Sequence, residues 1–189
     1  MPLVHTQRPV LAPTVLPAQH ADEFFDVVDA HDRVLYQERR SVVHAQRLRH
    51  RAVHILLLDA RGHLLLQRRS RFKDTNPGKW TTACCGHVDA GEAYLDAARR
   101  ELREELGVCL DAASPLTEIW RHEPCRATGH EFIRVYTLRW NGPLQPDPDE
   151  VAELRWLCAG DLSEAIAERP RVFTASLRLI WQHCADRLV

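Results

Sequence analysis

The chain has 189 residues, 45% of them apolar and 27% charged, and a formal net charge of −1 with histidine neutral. That length suits one domain with a core of its own, and the near-neutral balance argues against nucleic acid as a partner. No apolar run approaches the roughly 18 residues of a membrane span. Six cysteines without a C-x-x-C pair, behind an N-terminus unlike a secretory leader, read as reduced and mostly buried thiols of a cytoplasmic protein.

In chain order, residues 1–22 carry Pro2, Pro9, Pro13 and Pro17 with little periodicity, which predicts a flexible arm ahead of a domain spanning 23–189. Phe24 to Val28 reads as a strand, Asp29 to Arg33 as a turn, and Val34 to Tyr36 as the strand returning. Arg39 to Gln46 could form a short helix. Ala52 to Leu58 is a nearly continuous apolar run of strand length, as expected for a strand buried on both faces. Asp59-Ala-Arg-Gly62 turns it into a second strand, His63 to Arg68, a strong hairpin pattern. A polar loop, Arg69 to Lys79, leads to a strand over Trp80 to Val88. Glu92 to Leu106 predicts a long helix, with Leu95, Ala98, Leu102 and Leu106 as its apolar stripe and Gly107 as its C-cap. Strands are expected near Leu116–His122, Glu131–Trp140 and Val151–Leu157, with a proline loop at Pro143, Pro146 and Pro148. Helices are expected at Asp161–Glu168 and Phe173–Arg187, the last burying Leu177, Ile180, Trp181 and Cys184. This order suggests a mixed sheet with helices packed on it.

The chemistry concentrates on the long helix. Glu101, Glu104 and Glu105 stand at i, i+3 and i+4, so their carboxylates share an arc of about 100°. Crowded carboxylates repel one another, and the arrangement is tolerated on a solvated face or around a cation. Hard oxygen ligands suit Mg²⁺ or Mn²⁺, which in turn suit phosphate oxygens. The residues around them decide between these readings. Gly86, Glu92, Arg100, Glu101, Leu102, Glu104, Glu105, Gly107 and Val108 fill every fixed position of G-x5-E-x7-R-E-U-x-E-E-x-G-U, where U is aliphatic. At average residue usage a chance match is on the order of one in ten million.

This pattern resembles the Nudix box. The resemblance implies a Nudix-type α/β/α sandwich, a mixed β-sheet flanked by helices. It further implies a divalent cation, Mg²⁺ or Mn²⁺, held by Glu101, Glu104 and Glu105 with Glu92 and the Gly86 carbonyl. Arg100 would orient a glutamate by a charge-assisted hydrogen bond, and metal-activated water would attack a diphosphate.

Further residues resemble one branch of that superfamily, the type I isopentenyl-diphosphate isomerases and their hydrolase relatives. Trp80-Thr-Thr-Ala-Cys84-Cys85-Gly86-His87 is similar to the segment around the isomerase cysteine, which puts Cys85 in that role. His87, His50 and, one residue out of step, His44 match metal-ligand histidines, and Glu131 in His130-Glu131-Phe132 matches a metal-bound catalytic glutamate. Arg69 and Lys73 match positions that grip the diphosphate. A thiol and a carboxylate facing one another could protonate and deprotonate an isoprenoid double bond, and three imidazoles with a carboxylate suit a second divalent metal.

The departures point the other way. Val88 stands where the isomerases carry proline, the box is intact where theirs is degenerate, and Pro170 to Thr174 offers no counterpart of their carbocation-stabilising tryptophan. Hydrolysis of a diphosphate linkage in a small molecule, a nucleoside diphosphate derivative or an isoprenoid diphosphate, is therefore the leading expectation. Isomerisation by Cys85 and Glu131 stands second, and a silent diphosphate-binding module third. The loops Trp120–Arg126 and Asn141–Asp149 are candidates for specificity.

Overall fold

A computed structural model describes residues 23–111 and 115–188; the expected arm at 1–22 lies outside them. Phe24–Val28 (β1) and Val34–Arg39 (β2) pair antiparallel as a separate ribbon. It is followed by a helix at Arg40–Gln46 (α1), and Phe25, Val27 and Val43 form a small core between ribbon and helix.

The main sheet has seven strands, and His50–Leu58 (β3) runs through its middle. Along one edge β3 pairs in parallel with Glu131–Arg139 (β8), which pairs antiparallel with Thr117–His122 (β7). Its other edge is divided. Leu64–Arg69 (β4) pairs with β3 only at Leu58↔Leu64, so the predicted hairpin opens directly after its turn. The wedge takes two short strands, because the segment expected as one strand over Trp80 to Val88 breaks at Ala83. Trp80–Thr82 (β5) pairs with β4, and Cys84–His87 (β6) pairs with β3. Val151–Leu157 (β9) covers the far edge of β4.

Side chains on β3 alternate between two cores. Val53, Ile55 and Leu57 pack under the helix Tyr94–Leu106 (α2). Ala52 and Leu56 face the helices Ala159–Glu168 (α3) and Ala175–Cys184 (α4), with Leu162, Leu177, Ile180 and Trp181. This is the α/β/α sandwich that the pattern implied, with β3 buried on both faces. No helix of the described residues is long and apolar enough to cross a membrane.

Two details of α2 differ from expectation. It begins at Tyr94 rather than Glu92, because Glu92 turns back to accept from the Asp89 amide at 3.0 Å. Leu95 is 40% exposed, and Tyr94 and Ala97 complete the stripe instead. Glu105 lies within the buried stripe, so the apolar face of α2 carries a carboxylate. α4 starts two residues after Phe173, with the Thr174 hydroxyl capping the Leu177 amide, and ends in a 3₁₀ turn at Ala185–Arg187. All six cysteines are free. Three are buried, Cys84, Cys85 and Cys184, whereas Cys125 and Cys158 are half-buried and Cys109 is exposed.

Candidate active site

The opening of the β3–β4 hairpin leaves a cavity of about 780 Å³ between the diverging strands. Its walls come from the start of β3 (His50, Ala52, His54), the end of β4 (Arg69), β5 and β6 (Thr81, Cys85, Gly86, His87), α2 (Arg100, Glu101, Glu104, Glu105) and the loop before β8. Every site residue expected from the sequence lines this space except Glu92, which sits behind Arg100.

The α2 side of the wall is built around one arginine. Arg100 donates to Glu92 from Nε and Nη2 at 3.0 and 2.9 Å, to Glu101 at 2.7 Å, to Glu104 at 3.1 Å and to the His87 carbonyl at 2.9 Å. A guanidinium can divide five donors in this way, where an ammonium could not hold a planar fork. Glu105 is almost wholly buried and accepts from Gln67 Nε2 at 2.9 Å and from the Cys85 amide at 3.2 Å. Burial, and Glu105 beside it, push the Glu101 carboxyl well above the usual carboxylate range. Gly86 leaves room for this carboxylate: a Cβ on it would fall inside the Glu101 carboxylate and displace it. Buried Glu105 and part-buried Glu101 beside a bare backbone strand fit a divalent cation, with the Gly86 carbonyl and half-exposed Glu104 to complete the donors.

Basic groups stand next to these acids. Lys73 is buried, pairs closely with Glu150 and stands 3.9 Å from Glu105. Arg69 donates to the Thr75 carbonyl at 2.9 Å and reaches Cys85 Sγ at 3.7 Å. Burial first, and Glu105 second, push the Cys85 thiol up to about 11, so it is protonated at neutral pH.

The second cluster forms as the sequence suggested, with His44 included. Ligand atoms of His44, His50 and His87 all lie within 4.8 Å of one another. His44 stands on α1, which ends in a left-handed Arg47 before the chain enters β3. Glu131 Oε1 lies 3.2 Å from His87 Nε2 and 3.7 Å from His50 Nε2. His50 Nδ1 stands 2.9 Å from the Leu48 carbonyl, so its proton is on Nδ1 and the Nε2 lone pair is free. That Nε2 is buried without a hydrogen-bond partner and faces a carboxylate oxygen, another acceptor. A cation between them would satisfy both. Burial lowers the pKa of all three histidines and keeps them neutral, the ligating form.

Several residues at the site were not singled out from the sequence. Gln67 and Glu150 hold Glu105 and Lys73. Arg40, a buried cation on α1, joins Glu23 at 2.9 Å, Asp74 at 3.1 Å and His87 Nδ1 at 3.3 Å. Only the apolar context of Gln67 gave a sequence signal, a polar residue within a buried strand. Of the two candidate specificity loops, Arg126 and Asp147 reach the cavity and Trp120 does not.

An opened sheet, a carboxylate-bearing helix across it and buried basic groups beside the acids thus share one cavity of an α/β/α sandwich. The NUDIX domain profile matches residues 48–177, and the chain belongs to the Nudix family, in the class of the Nudix hydrolases. It is 39% identical over 145 residues to an uncharacterised Nudix hydrolase of Yersinia pestis, covering 75% of this chain and 76% of that protein. It is 35% identical over 164 residues to an isopentenyl-diphosphate Delta-isomerase of Burkholderia multivorans, covering 86% and 90%. A crystal structure from Deinococcus radiodurans superposes with a TM-score of 0.75 at 28% identity, covering 86% of this chain and 99% of that one.

Proposed function

We propose that the chain hydrolyses a diphosphate linkage in a small molecule, a nucleoside diphosphate derivative or an isoprenoid diphosphate, with Mg²⁺ or Mn²⁺ as cofactor. The observation that carries this reading is the pair of acids, buried Glu105 and part-buried Glu101, on the wall of the cavity that also receives Arg69 and Lys73. Crowded, water-poor carboxylates are costly unless positive charge offsets them; Arg100 meets Glu101 at 2.7 Å, whereas Lys73 stands 3.9 Å from Glu105, which leaves room for a further cation.

Glu101, Glu104 and Glu105, with the Gly86 carbonyl, would hold the cation, and Glu92 keeps Arg100 in place behind them. When bound, the cation would offset the charge of the diphosphate and lower the pKa of a coordinated water. Arg69 and Lys73 hold the phosphate oxygens as charged donors. In the chemical step a water oxygen forms the new bond to phosphorus, and the bridging P–O bond breaks. Its electron pair leaves on the departing group, and the proton lost by water passes to a box carboxylate. Glu104 is the most exposed acid of the three, with Arg100 3.1 Å from one of its oxygens, and is assigned that proton. Replacing it, Glu104→Gln, is expected to lower turnover by at least about 10²-fold, with ¹⁸O from labelled water appearing in the product phosphate of the wild type. Near-normal turnover of the variant would remove Glu104 from the reaction.

A second reading has a specific support. Cys85 and Glu131 line the same cavity, and a protonated thiol with a carboxylate could move the two protons of an allylic isomerisation. On that reading Cys85→Ala abolishes activity. For a hydrolase it leaves turnover close to wild type, since the backbone amide that supports Glu105 remains.

A further inference from the structure

The loop between β4 and β5 presents opposite charges to the two clusters. Lys73 closes on Glu150 and approaches Glu105 on the carboxylate side. Asp74, the next residue, turns to the histidine side, where its oxygens accept from Arg40 Nη2 at 3.3 and 3.1 Å. Asp74 Oδ2 also lies 3.8 Å from His44 Nδ1.

Arg40 opposes a cation in the histidine cluster in two ways. Its positive charge stands against His87. In addition, a guanidinium only donates, so its 3.3 Å contact leaves the lone pair of His87 on Nδ1 and the proton on Nε2. Nε2 is the atom that faces Glu131 and His44 at 3.2 and 3.3 Å, where a cation would need the lone pair. Asp74 and Glu23 are the carboxylates that draw Arg40 the other way. Asp74 has a second effect. A carboxylate beside His44 Nδ1 favours the proton there and leaves the Nε2 lone pair directed at the cluster, as outer carboxylates do for ligating histidines.

We propose that Asp74 is a positioning residue for the histidine cluster. It competes with His87 for the Arg40 guanidinium and, 3.8 Å from His44 Nδ1, biases that ring electrostatically toward the ligating tautomer, and so ties cation binding there to the loop that carries Lys73. The proposal rests on the reading of His44, His50, His87 and Glu131 as a cation site.

Its test is a Co²⁺ titration of the full chain with excess Mg²⁺ present, followed by visible absorption, for the wild type and for Asp74→Asn and His50→Gln. Cobalt favours nitrogen-rich sites over all-oxygen ones. Asp74 is 45% exposed, so asparagine leaves the packing intact. Asp74→Asn is expected to keep the absorption and to weaken Co²⁺ binding about 10–100-fold. It is also expected to raise the KM for the diphosphate while kcat stays near wild type. Adding Arg40→Met to Asp74→Asn should recover part of the cobalt affinity, because the cation that Asp74 offsets is gone; a loop that is merely loosened gives no such recovery. Wild-type cobalt affinity in Asp74→Asn, with His50→Gln silent, overturns the proposal and leaves the cation site standing. Full cobalt absorption in His50→Gln overturns the cation site itself.

Discussion

At the scale of single residues the site is decided by close approaches. Gly86 is the sharpest case, since any Cβ there would occupy the space of the Glu101 carboxylate. Gly86→Ala is therefore expected to displace Glu101 and weaken Mg²⁺ binding by at least about 10-fold, measured by calorimetry, while the fold persists by circular dichroism. Unchanged Mg²⁺ affinity would show that Glu101 is no ligand. The nine box positions were legible because chemistry fixes both their residue types and their spacing along β6, the loop after it, α2 and the residues that end α2. Arg40, Gln67 and Glu150 were not, because their roles are set by contacts that cross the chain. Arg40 meets His87 across 47 positions, and Gln67 meets Glu105 across 38. Taken alone, an arginine in a short helix or a glutamate in a proline loop looks like a solvated charge.

At the scale of elements, α2 and its cap show how local rules and the site agree. Gly107 ends the helix with φ +66°, and its amide donates to the Arg103 carbonyl at 3.0 Å. A Cβ there would stand 2.8 Å from Gln145 Cβ. Gly107→Ala is expected to cost about 1–3 kcal/mol through left-handed strain and this crowding, read from urea denaturation; a loss under about 0.5 kcal/mol would contradict it. The elements of the sheet were legible in type and approximate extent, since β3 is apolar on both faces and α4 keeps its stripe. The break at Ala83 and the splayed hairpin were not. A hairpin pattern reports that two strands meet at a turn, and here they do, at one pair. Whether they stay paired depends on β5 and β6 competing for the same edges, which no local pattern records. That competition opens the cavity.

At the scale of the whole molecule, the same burial that shapes the site makes the fold sensitive to acid. His54 is buried in β3 against Thr82 Oγ1 at 2.9 Å, and burial lowers its pKa to about 4. The unfolded chain takes up a proton near 6.5 and the folded chain does not, so stability is complete above 6.5 and falls as pH drops toward 4. The urea midpoint of the wild type should decline across that window, and that of His54→Gln should decline less; equal slopes would show that His54 titrates freely in the fold. The account as a whole stands on one claim, that the intact carboxylate helix serves water attack on a diphosphate. The most direct test incubates the chain with Mg²⁺ and, separately, nucleoside diphosphate derivatives and isopentenyl diphosphate, and follows the products by phosphorus NMR. New monophosphate or inorganic phosphate signals are the predicted result and would name the substrate class. An intact diphosphate whose double bond has moved would contradict the account and assign the reaction to Cys85 and Glu131.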